Sequence, residues 1–262
     1  MKAIELLEEL KQGGTHQGST CDTIKSGSAD TEVKRVAVSM FATVDVIKRV
    51  KAWGADTLIV HEPTYYDHMD IKEDNPVTKA KEKLICESGI TIFRYHDFMH
   101  ARETDQITEG ECYFLGLKGK VEHTEYSASY ILEIEEPLTA LEMARRMENE
   151  LGIKHVRIAG TRDKKASKIA LSFGTPAGVY ELLCREDIDM VLTGEACEWK
   201  LGEYARDADL LGINKSLIVM GHIPSERDGM RLLALRLQEK HKELEIQYFE
   251  CGEVYTYTDS DK

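Results

Sequence analysis

The sequence predicts an α/β protein of two related lobes with mainly parallel sheets. Apolar strand-like runs alternate with helical segments along most of the 262 residues, which is the order of a parallel sheet with crossover helices. A charged stretch near residues 122–126 separates two such series, so we place the lobes at 1–125 and 126–262. At ~100–200 residues per domain, this length allows one large domain or two small ones.

The first lobe begins with an amphipathic helix over 3–10, and a polar stretch from residue 15 to about 31 is predicted to be a loop. The next two helices have clear boundary signals. Thr43 and Asn75 are predicted N-caps, and Gly54 and Gly89 are predicted to end the helices. The remaining elements are predicted strands at 33–39, 56–61 and 90–95, and helices at 43–53 and 75–88.

The second lobe repeats this alternation of apolar runs and helical segments. Its predicted strands cover 129–134, 156–159, 168–172, 189–193, 216–220 and 246–250. Its predicted helices cover 138–151, 176–185, 196–207 and 225–241.

Composition restricts the class of protein. The formal net charge of −13 argues against a general nucleic-acid binder, which needs a basic face. The N-terminus lacks the apolar core of a signal peptide, and no stretch approaches the ~18 apolar residues of a membrane span. The six cysteines form no CxxC pair, which favours reduced thiols and a cytoplasmic location.

Polar side chains follow two strands of the first lobe at their carboxyl ends, where sites form in open parallel sheets. His61 and Glu62 come directly after one apolar strand. His96 and His100 follow the next strand at i, i+4 spacing, and they share one face if this segment is helical. Taken singly, the first pair is also explained as a turn before Pro63, and the second pair as a solvated loop.

Two strands of the second lobe end in a similar way. Glu195 stands after Gly194 at the start of a helix, and His222 and Glu226 are four residues apart after Gly221. A carboxylate near a helix N-terminus is also explained by the helix dipole. Each of these motifs alone therefore has a structural explanation as well as a functional one.

The joint occurrence of these motifs favours a metal centre. Three strand ends each supply histidine with a second histidine or a carboxylate, which is the ligand set of catalytic zinc, iron or manganese sites. Five candidate ligands exceed what one tetrahedral ion takes from protein, and two divalent ions ~3.5–4 Å apart with a bridging water would use them all. The sequence contains no GxSxG elbow, phosphate loop or dinucleotide-binding fingerprint.

The same segments resemble the Nif-three-like family (NGG-one interacting factor three, DUF thirty-four), whose members are also called dinuclear metal-centre hexameric proteins or GTP cyclohydrolase type-two homologues. The family pattern has His-His-Pro, His-Thr-x-x-Asp, Thr-Gly-Asp/Glu and Gly-His-x-x-x-Glu after successive strands. The matching segments here begin at His61, His96, Thr193 and Gly221. Order and rough spacing agree over most of the chain.

Two positions depart from the family pattern. Glu62 stands where the family has its second histidine, and His100 stands where it has aspartate. The exchange preserves three histidines and two carboxylates, and therefore the ligand charge; the set is His61, His100, His222, Glu62 and Glu226. This favours a retained two-metal centre, and the alternative is a single remaining ion. His96 matches a family histidine and is expected to be an outer or weak ligand.

The resemblance implies metals in a cleft between the lobes and a toroidal homohexamer. It leaves two main functions open. The first is a metal-dependent hydrolase whose bridging water attacks a small, phosphorylated or nucleotide-like substrate, with Glu195 as a proton shuttle. The second is a non-catalytic metal-binding regulatory or partner-interaction protein. A plain α/β domain with surface histidines is a third interpretation.

Overall fold

A computed structural model describes residues 1–175 and 177–258 and divides the chain into two compact units. Unit 1 comprises Met1–Ile107 together with the chain from Gly229 onward, and unit 2 comprises Thr108–Asp228. These bounds differ from the predicted lobes 1–125 and 126–262. The difference arises because the last strand of the chain pairs with a strand of the first sheet.

The helices and strands follow the predicted alternation. The strands are β1 (Ile24–Ser26), β2 (Arg35–Ser39), β3 (Thr57–Val60), β4 (Thr91–Arg94), β5 (Gly119–His123), β6 (Ser129–Thr139), β7 (Arg157–Gly160), β8 (Lys165–Ser172), β9 (Met190–Thr193), β10 (Ser216–Val219) and β11 (Glu245–Tyr248). The helices are α1 (Ala3–Lys11), α2 (Val44–Trp53), α3 (Pro76–Ser88), α4 (Asp97–His100), α5 (Gln106–Leu115), α6 (Ala140–Glu150), α7 (Val179–Cys184), α8 (Glu203–Leu210) and α9 (His222–Lys240). A π-helical turn, Glu198–Gly202, precedes α8.

Unit 1 is built on a five-stranded sheet in the order β1-β4-β3-β2-β11. All of its strand pairs are parallel except β1–β4, so the predicted parallel sheet is confirmed. The prediction of a loop up to residue 31 was wrong at β1. This strand has three partly buried residues and an irregular register, and so it has no alternating pattern that the sequence could reveal.

The helix boundaries of unit 1 were correctly predicted from their capping residues. The Thr43 side chain accepts a hydrogen bond from the amide of Val46 (3.1 Å), and the Asn75 side chain accepts one from Thr78 (2.9 Å). The glycines after α2 and α3 adopt the left-handed backbone conformation that favours glycine. These caps fix where the two helices cross over between parallel strands.

Unit 2 contains a six-stranded mixed sheet in the order β5-β6-β8-β9-β10-β7. The β8–β9 and β9–β10 pairs are parallel, and the other three pairs are antiparallel. The charged stretch predicted as a boundary forms β5 and the turn into β6. All five residues of β5 are exposed, so this edge strand carries charges instead of the apolar side chains that would have identified it.

Several other elements of unit 2 differ from prediction in extent. The predicted strand 129–134 continues to Thr139 as β6, and the predicted helix 196–207 is the π-helical turn followed by α8. The predicted helix 176–185 is observed as α7, and Pro176 lies outside the described residues. Within the described ranges, no helix is both long and apolar enough to cross a membrane.

The sheets position the candidate ligands because neighbouring parallel strands end at the same edge. Every residue of β3 and β4 is buried, as expected for parallel strands covered on both faces. His61 and His96 follow these two adjacent strands. In unit 2, Glu195 and His222 follow the adjacent strands β9 and β10 in the same way.

Candidate metal centre

Three predicted ligands of unit 1 form a compact histidine cluster. His61 directly follows β3, His96 occupies the N-cap position of α4, and His100 is the last residue of that helix. The ring centroid of His61 lies 4.5 Å from that of His96 and 5.0 Å from that of His100, and the His96 and His100 centroids are 4.8 Å apart. One nitrogen of each ring lies within 4.8 Å of the others. The i, i+4 spacing on α4 thus brings both later histidines to His61.

Two ring nitrogens of this cluster face each other, and both are hydrogen-bond acceptors when the rings are neutral. The Nε2 atoms of His61 and His100 are 3.2 Å apart. His61 Nδ1 faces the carbonyl of Tyr95 at 3.1 Å, and His100 Nδ1 faces a carboxylate oxygen of Asp105 at 2.6 Å. Because both partners are acceptors, each Nδ1 carries the proton and each Nε2 presents a lone pair. A shared proton or a cation would stabilise this arrangement.

A metal ion fits the observed separation. Two nitrogens at about 2.0–2.1 Å from a tetrahedral zinc ion are about 3.3 Å apart, close to the 3.2 Å between the two Nε2 atoms. Burial is the largest effect on the pKa of His61, and repulsion from neighbouring His96, His100 and Arg94 adds to it, so that this pKa lies well below its usual range. His61 is therefore a neutral imidazole, which is the form that coordinates metals. The donor set of unit 1 thus fits a divalent ion.

Glu62 extends the cluster with a carboxylate. The residue is 8% exposed, and its carboxylate oxygens lie 3.6 Å from Arg94 Nη2 and 4.0 Å from His96 Nε2. Arg94 is fully buried and donates from Nε to the carbonyl of His61 at 2.7 Å. This arginine holds the end of β3 in place and balances the charge of Glu62. Arg94 was not predicted as a site residue, although a single arginine within the apolar run ITIFRY indicates a buried charge that needs a partner.

Asp105 orients one of the histidines and was not predicted. It is 1% exposed and binds His100 Nδ1 at 2.6 Å. Carboxylates that bind the far nitrogen of a metal-ligating histidine fix its tautomer and strengthen the ligand. Asp105 lies after α4 in a segment without a strand-end pattern, so nothing in the sequence identified it.

We expect Asp105→Asn to weaken metal binding without removing a ligand. The neutral amide is a weaker acceptor for His100 Nδ1, so the affinity for Zn²⁺ should fall by about 10–100-fold. Competition with a chromophoric chelator measures this change. Asp163→Asn, at an exposed position, is the matched control and should keep wild-type affinity. Equal affinities of the Asp105 variant and the wild type would contradict the role assigned to Asp105.

Unit 2 contributes a second candidate group around His222. Its Nδ1 lies 2.7 Å from Glu195 Oε1, and its Nε2 lies 3.2 Å from Glu226 Oε2. His222 begins α9 and Glu226 is one turn later, so the predicted i, i+4 pair shares one face. Gly221 precedes the helix with φ of +98°, a conformation that favours glycine. Glu226 is buried, whereas the Glu195 side chain is half exposed.

This geometry changes the expected role of Glu195. It was predicted as a proton shuttle, a role for a carboxylate that is not held by another group. Its oxygen instead lies within hydrogen-bond distance of His222 Nδ1. This contact fixes the imidazole so that Nε2 faces Glu226. The proton-shuttle role stays a prediction, and orienting His222 is the role that the contact supports.

A glycine makes room for the Glu226 side chain. Gly174 has φ of +64°, and a Cβ atom there would lie 2.1 Å from Glu226 Oε1. Ser225 fixes the same turn, because its hydroxyl accepts from the Gly174 amide (2.9 Å) and donates to the carbonyl of His222 (2.8 Å). The buried carboxylate of Glu226 thus lies against the backbone at Gly174, where there is no room for a Cβ atom.

We therefore expect Gly174→Ala to displace Glu226 as well as strain the backbone. Gly152→Ala is the matched control, because Gly152 has φ of +66° and, within the described chain, a Cβ atom there would meet no atom of a non-adjacent residue within 4 Å. The control should lose about 1–2 kcal/mol of unfolding free energy from the left-handed conformation alone. Gly174→Ala should lose more, and urea unfolding of both variants measures the difference. Equal losses of unfolding free energy in the two variants would show that the Glu226 side chain can move aside at no energetic cost.

The predicted site residues are thus distributed over both units. His61, Glu62, His96 and His100 lie in unit 1, and Glu195, His222 and Glu226 lie in unit 2. Within each unit the structure brings these residues together at adjacent strand ends.

The family model described as Duf34/NIF3 (NGG1p interacting factor 3) matches residues 8–253. The chain belongs to this family. It is 21% identical over 246 residues to a GTP cyclohydrolase 1 type 2 homolog of Clostridium perfringens, covering 92% of this chain and 90% of that one. It is 26% identical over 212 residues to a protein of the same name from Pyrococcus horikoshii, covering 80% and 81%.

Solved structures show the same fold. The protein ybgI, of unknown function, matches with a TM-score of 0.79 and 20% identity over 97% of this chain and all of that one. Reduced HcgD from Methanocaldococcus jannaschii matches with a TM-score of 0.73 and 18% identity over 95% and 97%. At these identities the likeness establishes the fold of this DUF34/NIF3 member.

Proposed function

We propose that this DUF34/NIF3 protein is a metal-dependent hydrolase that holds two divalent ions per chain, zinc, iron or manganese, and acts on a small substrate. The relatives' printed name, GTP cyclohydrolase 1 type 2 homolog, makes nucleotide-like and phosphorylated compounds the first substrates to test. Divalent ions supply a water of lowered pKa and polarise a carbonyl or phosphoryl oxygen.

The observation that carries this proposal is the 3.2 Å separation of the Nε2 atoms of His61 and His100. Both Nδ1 atoms face acceptors, so both Nε2 atoms direct lone pairs toward a position that a cation can occupy. In unit 1 the proposed ligands are His61, Glu62 and His100, with His96 as a weaker ligand. In unit 2 they are His222 and Glu226, with Glu195 orienting His222.

The first experiment is the metal content of the purified, untagged protein by mass spectrometry, quoted per chain. We expect about two ions held by the ligands named above, which is the stoichiometry of the predicted dinuclear centre. About one ion would mean that the departures from the family pattern at Glu62 and His100 have removed one of the two metal sites. A two-metal mechanism would then be rejected. No bound ion after supplementation with zinc, iron and manganese would overturn the proposal.

The second experiment separates catalysis from metal binding alone. Metal-loaded and metal-free protein are compared for turnover of GTP and of a panel of esters and phosphoesters. Activity that appears with metal and disappears with a chelator supports the hydrolase. Bound metal without turnover of any compound would instead favour a metal-binding regulatory or partner-interaction protein, the alternative predicted from the sequence.

Association of the chain is a further proposal. The segment that ends α8 exposes Leu210, Leu211 and Ile213, with Leu210 at 78%. Adjacent exposed apolar side chains are typical of contact surfaces, and the predicted homohexamer would offer them a second copy of the chain. Light scattering should give a mass of six chains, and Leu211→Ser should lower it. A monomeric wild-type protein would contradict the proposal.

A further inference from the structure

A second group of metal-ligating side chains lies beside the histidine cluster and shares none of its residues. Cys21, His68 and Asp97 each place one ligand atom within 4.8 Å of the other two. They come from three separate segments: the loop before β1, the loop after β3, and the start of α4. Proximity of thiol, imidazole and carboxylate from three segments is not a consequence of helical or strand spacing.

The geometry points to a mononuclear Zn²⁺ site formed by Cys21 Sγ, a ring nitrogen of His68 and a carboxylate oxygen of Asp97. This inference does not depend on the proposed hydrolase or on the ligands assigned to it. It would add one Zn²⁺ per chain to the two ions proposed there, and the Cys21→Ser variant would lack this additional ion. A thiolate, an imidazole and a carboxylate suit zinc, whereas magnesium and calcium prefer oxygen ligands alone. Zinc bonds of about 2.0–2.3 Å place tetrahedral ligand atoms about 3.3–3.8 Å apart, so a bound ion would draw together any of these three atoms that lie near the 4.8 Å limit.

The environment of each ligand suits this role. Cys21 is fully buried and is a free thiol, and the Asp97 side chain is 11% exposed. His68 is exposed at the surface, so the site is open to solvent on one side. Three protein ligands and an open position are the arrangement in which zinc keeps a water molecule as its fourth ligand.

Asp97 is held in a fixed position by hydrogen bonds to both of its carboxylate oxygens. His96 Nδ1 lies 3.0 Å from Oδ1. The Thr20 hydroxyl and the Cys21 amide both donate to Oδ2, at 2.8 and 2.9 Å. The carboxylate is therefore fixed beside the Cys21 backbone before any ion binds.

A role for Cys21 as a free nucleophile is less consistent with the structure. The Cys21 side chain is fully buried, whereas reactive cysteines are partly exposed. Coordination of a metal ion is the function that a buried thiol next to an imidazole and a carboxylate supports.

The inferred ion would also link the two clusters. Asp97 Oδ1 binds His96 Nδ1 at 3.0 Å, and the ring of His96 lies 5.4 Å from that of His68. An ion on Asp97 would bind the same carboxylate that orients His96, and it would connect three segments that border the histidine cluster.

Titration of metal-free protein with Co²⁺ tests the inference, because a cysteine ligand gives thiolate-to-Co²⁺ charge-transfer absorption in the near ultraviolet. We expect this absorption in the wild type, its loss in Cys21→Ser and its persistence in Cys86→Ser, whose thiol is exposed. Addition of Zn²⁺ should displace the Co²⁺ ion and abolish this absorption. Absence of the absorption in the wild type, or its retention in Cys21→Ser, would overturn the inference.

A substitution at the surface tests the same site if the buried Cys21→Ser substitution impairs folding. His68→Ala alters an exposed ring and should lower the Co²⁺ affinity of the thiolate site by at least about 10-fold. Unchanged affinity in this variant would overturn the inference. His61→Ala should keep the charge-transfer absorption, so failure of this site and failure of the proposed hydrolase centre are distinguishable.

Discussion

Replacing His61 with alanine is expected to remove a metal ion from the protein. The imidazole is fully buried and faces His100 across 3.2 Å, and its loss leaves a cavity where a ligand stood. We expect the affinity for Zn²⁺ in this cluster to fall by more than about 100-fold. Replacing a residue that only hydrogen-bonds to a metal ligand already lowers metal affinity by about 10–100-fold, and His61 is proposed as a ligand itself. Metal content per chain after dialysis at fixed free Zn²⁺ measures the loss.

The control for this substitution is His123→Ala, an exposed histidine on β5, which should retain all its metal. The competing explanation is a proton shared between the two Nε2 atoms, with His100 as an imidazolium paired to Asp105. That explanation predicts no change in bound metal when His61 is replaced. A His61 variant with wild-type metal content would therefore reject the metal-ligand role of this histidine.

Asp22→Ala is expected to destabilise unit 1 and disorganise α4. The buried carboxylate accepts hydrogen bonds from three consecutive amides: His96 (2.8 Å), Asp97 (3.0 Å) and Phe98 (2.9 Å). Alanine would leave these donors without their acceptor, at about 1–3 kcal/mol for each unsatisfied group. We expect a total loss of at least about 3 kcal/mol in unfolding free energy, together with weaker metal binding, because His96 and His100 depend on this turn.

Asn75→Ala is the matched control, because Asn75 caps α3 through its side-chain hydrogen bond to Thr78. The Asn75→Ala substitution should lower the unfolding free energy by about 1 kcal/mol and leave metal binding unchanged. Urea unfolding and zinc titration of both variants provide the comparison. Similar stability losses in the two variants, with unchanged zinc affinity in both, would show that Asp22 is an ordinary cap.

The sequence predicted those ligands that stand at the ends of apolar strands. His61, His96, Glu195 and His222 follow strands whose pattern was visible, and neighbouring parallel strands end at one edge of a sheet. His100 and Glu226 follow from i, i+4 spacing on a helix. These placements depend on local periodicity, which a single sequence contains.

The supporting residues were not predictable, because they reach the site from loops. Asp22 lies 74 residues from His96 in the chain, and its hydrogen bond to the His96 amide depends on the long-range path of the backbone. Asp105 follows no strand, and Cys21 and His68 lie in segments without a regular pattern. Their proximity results from how loops close over the strand ends.

The sequence by itself determined the α/β class, most helices and strands, and the candidate ligands at strand ends, because periodicity and capping are local properties of the chain. Only the tertiary structure decided that β11 joins the first sheet beside β2 and that exposed β5 is a strand. It also decided which atoms face one another, such as the Nε2 atoms of His61 and His100. Pairing between distant segments and the paths of loops depend on packing of the whole chain, which local patterns do not encode.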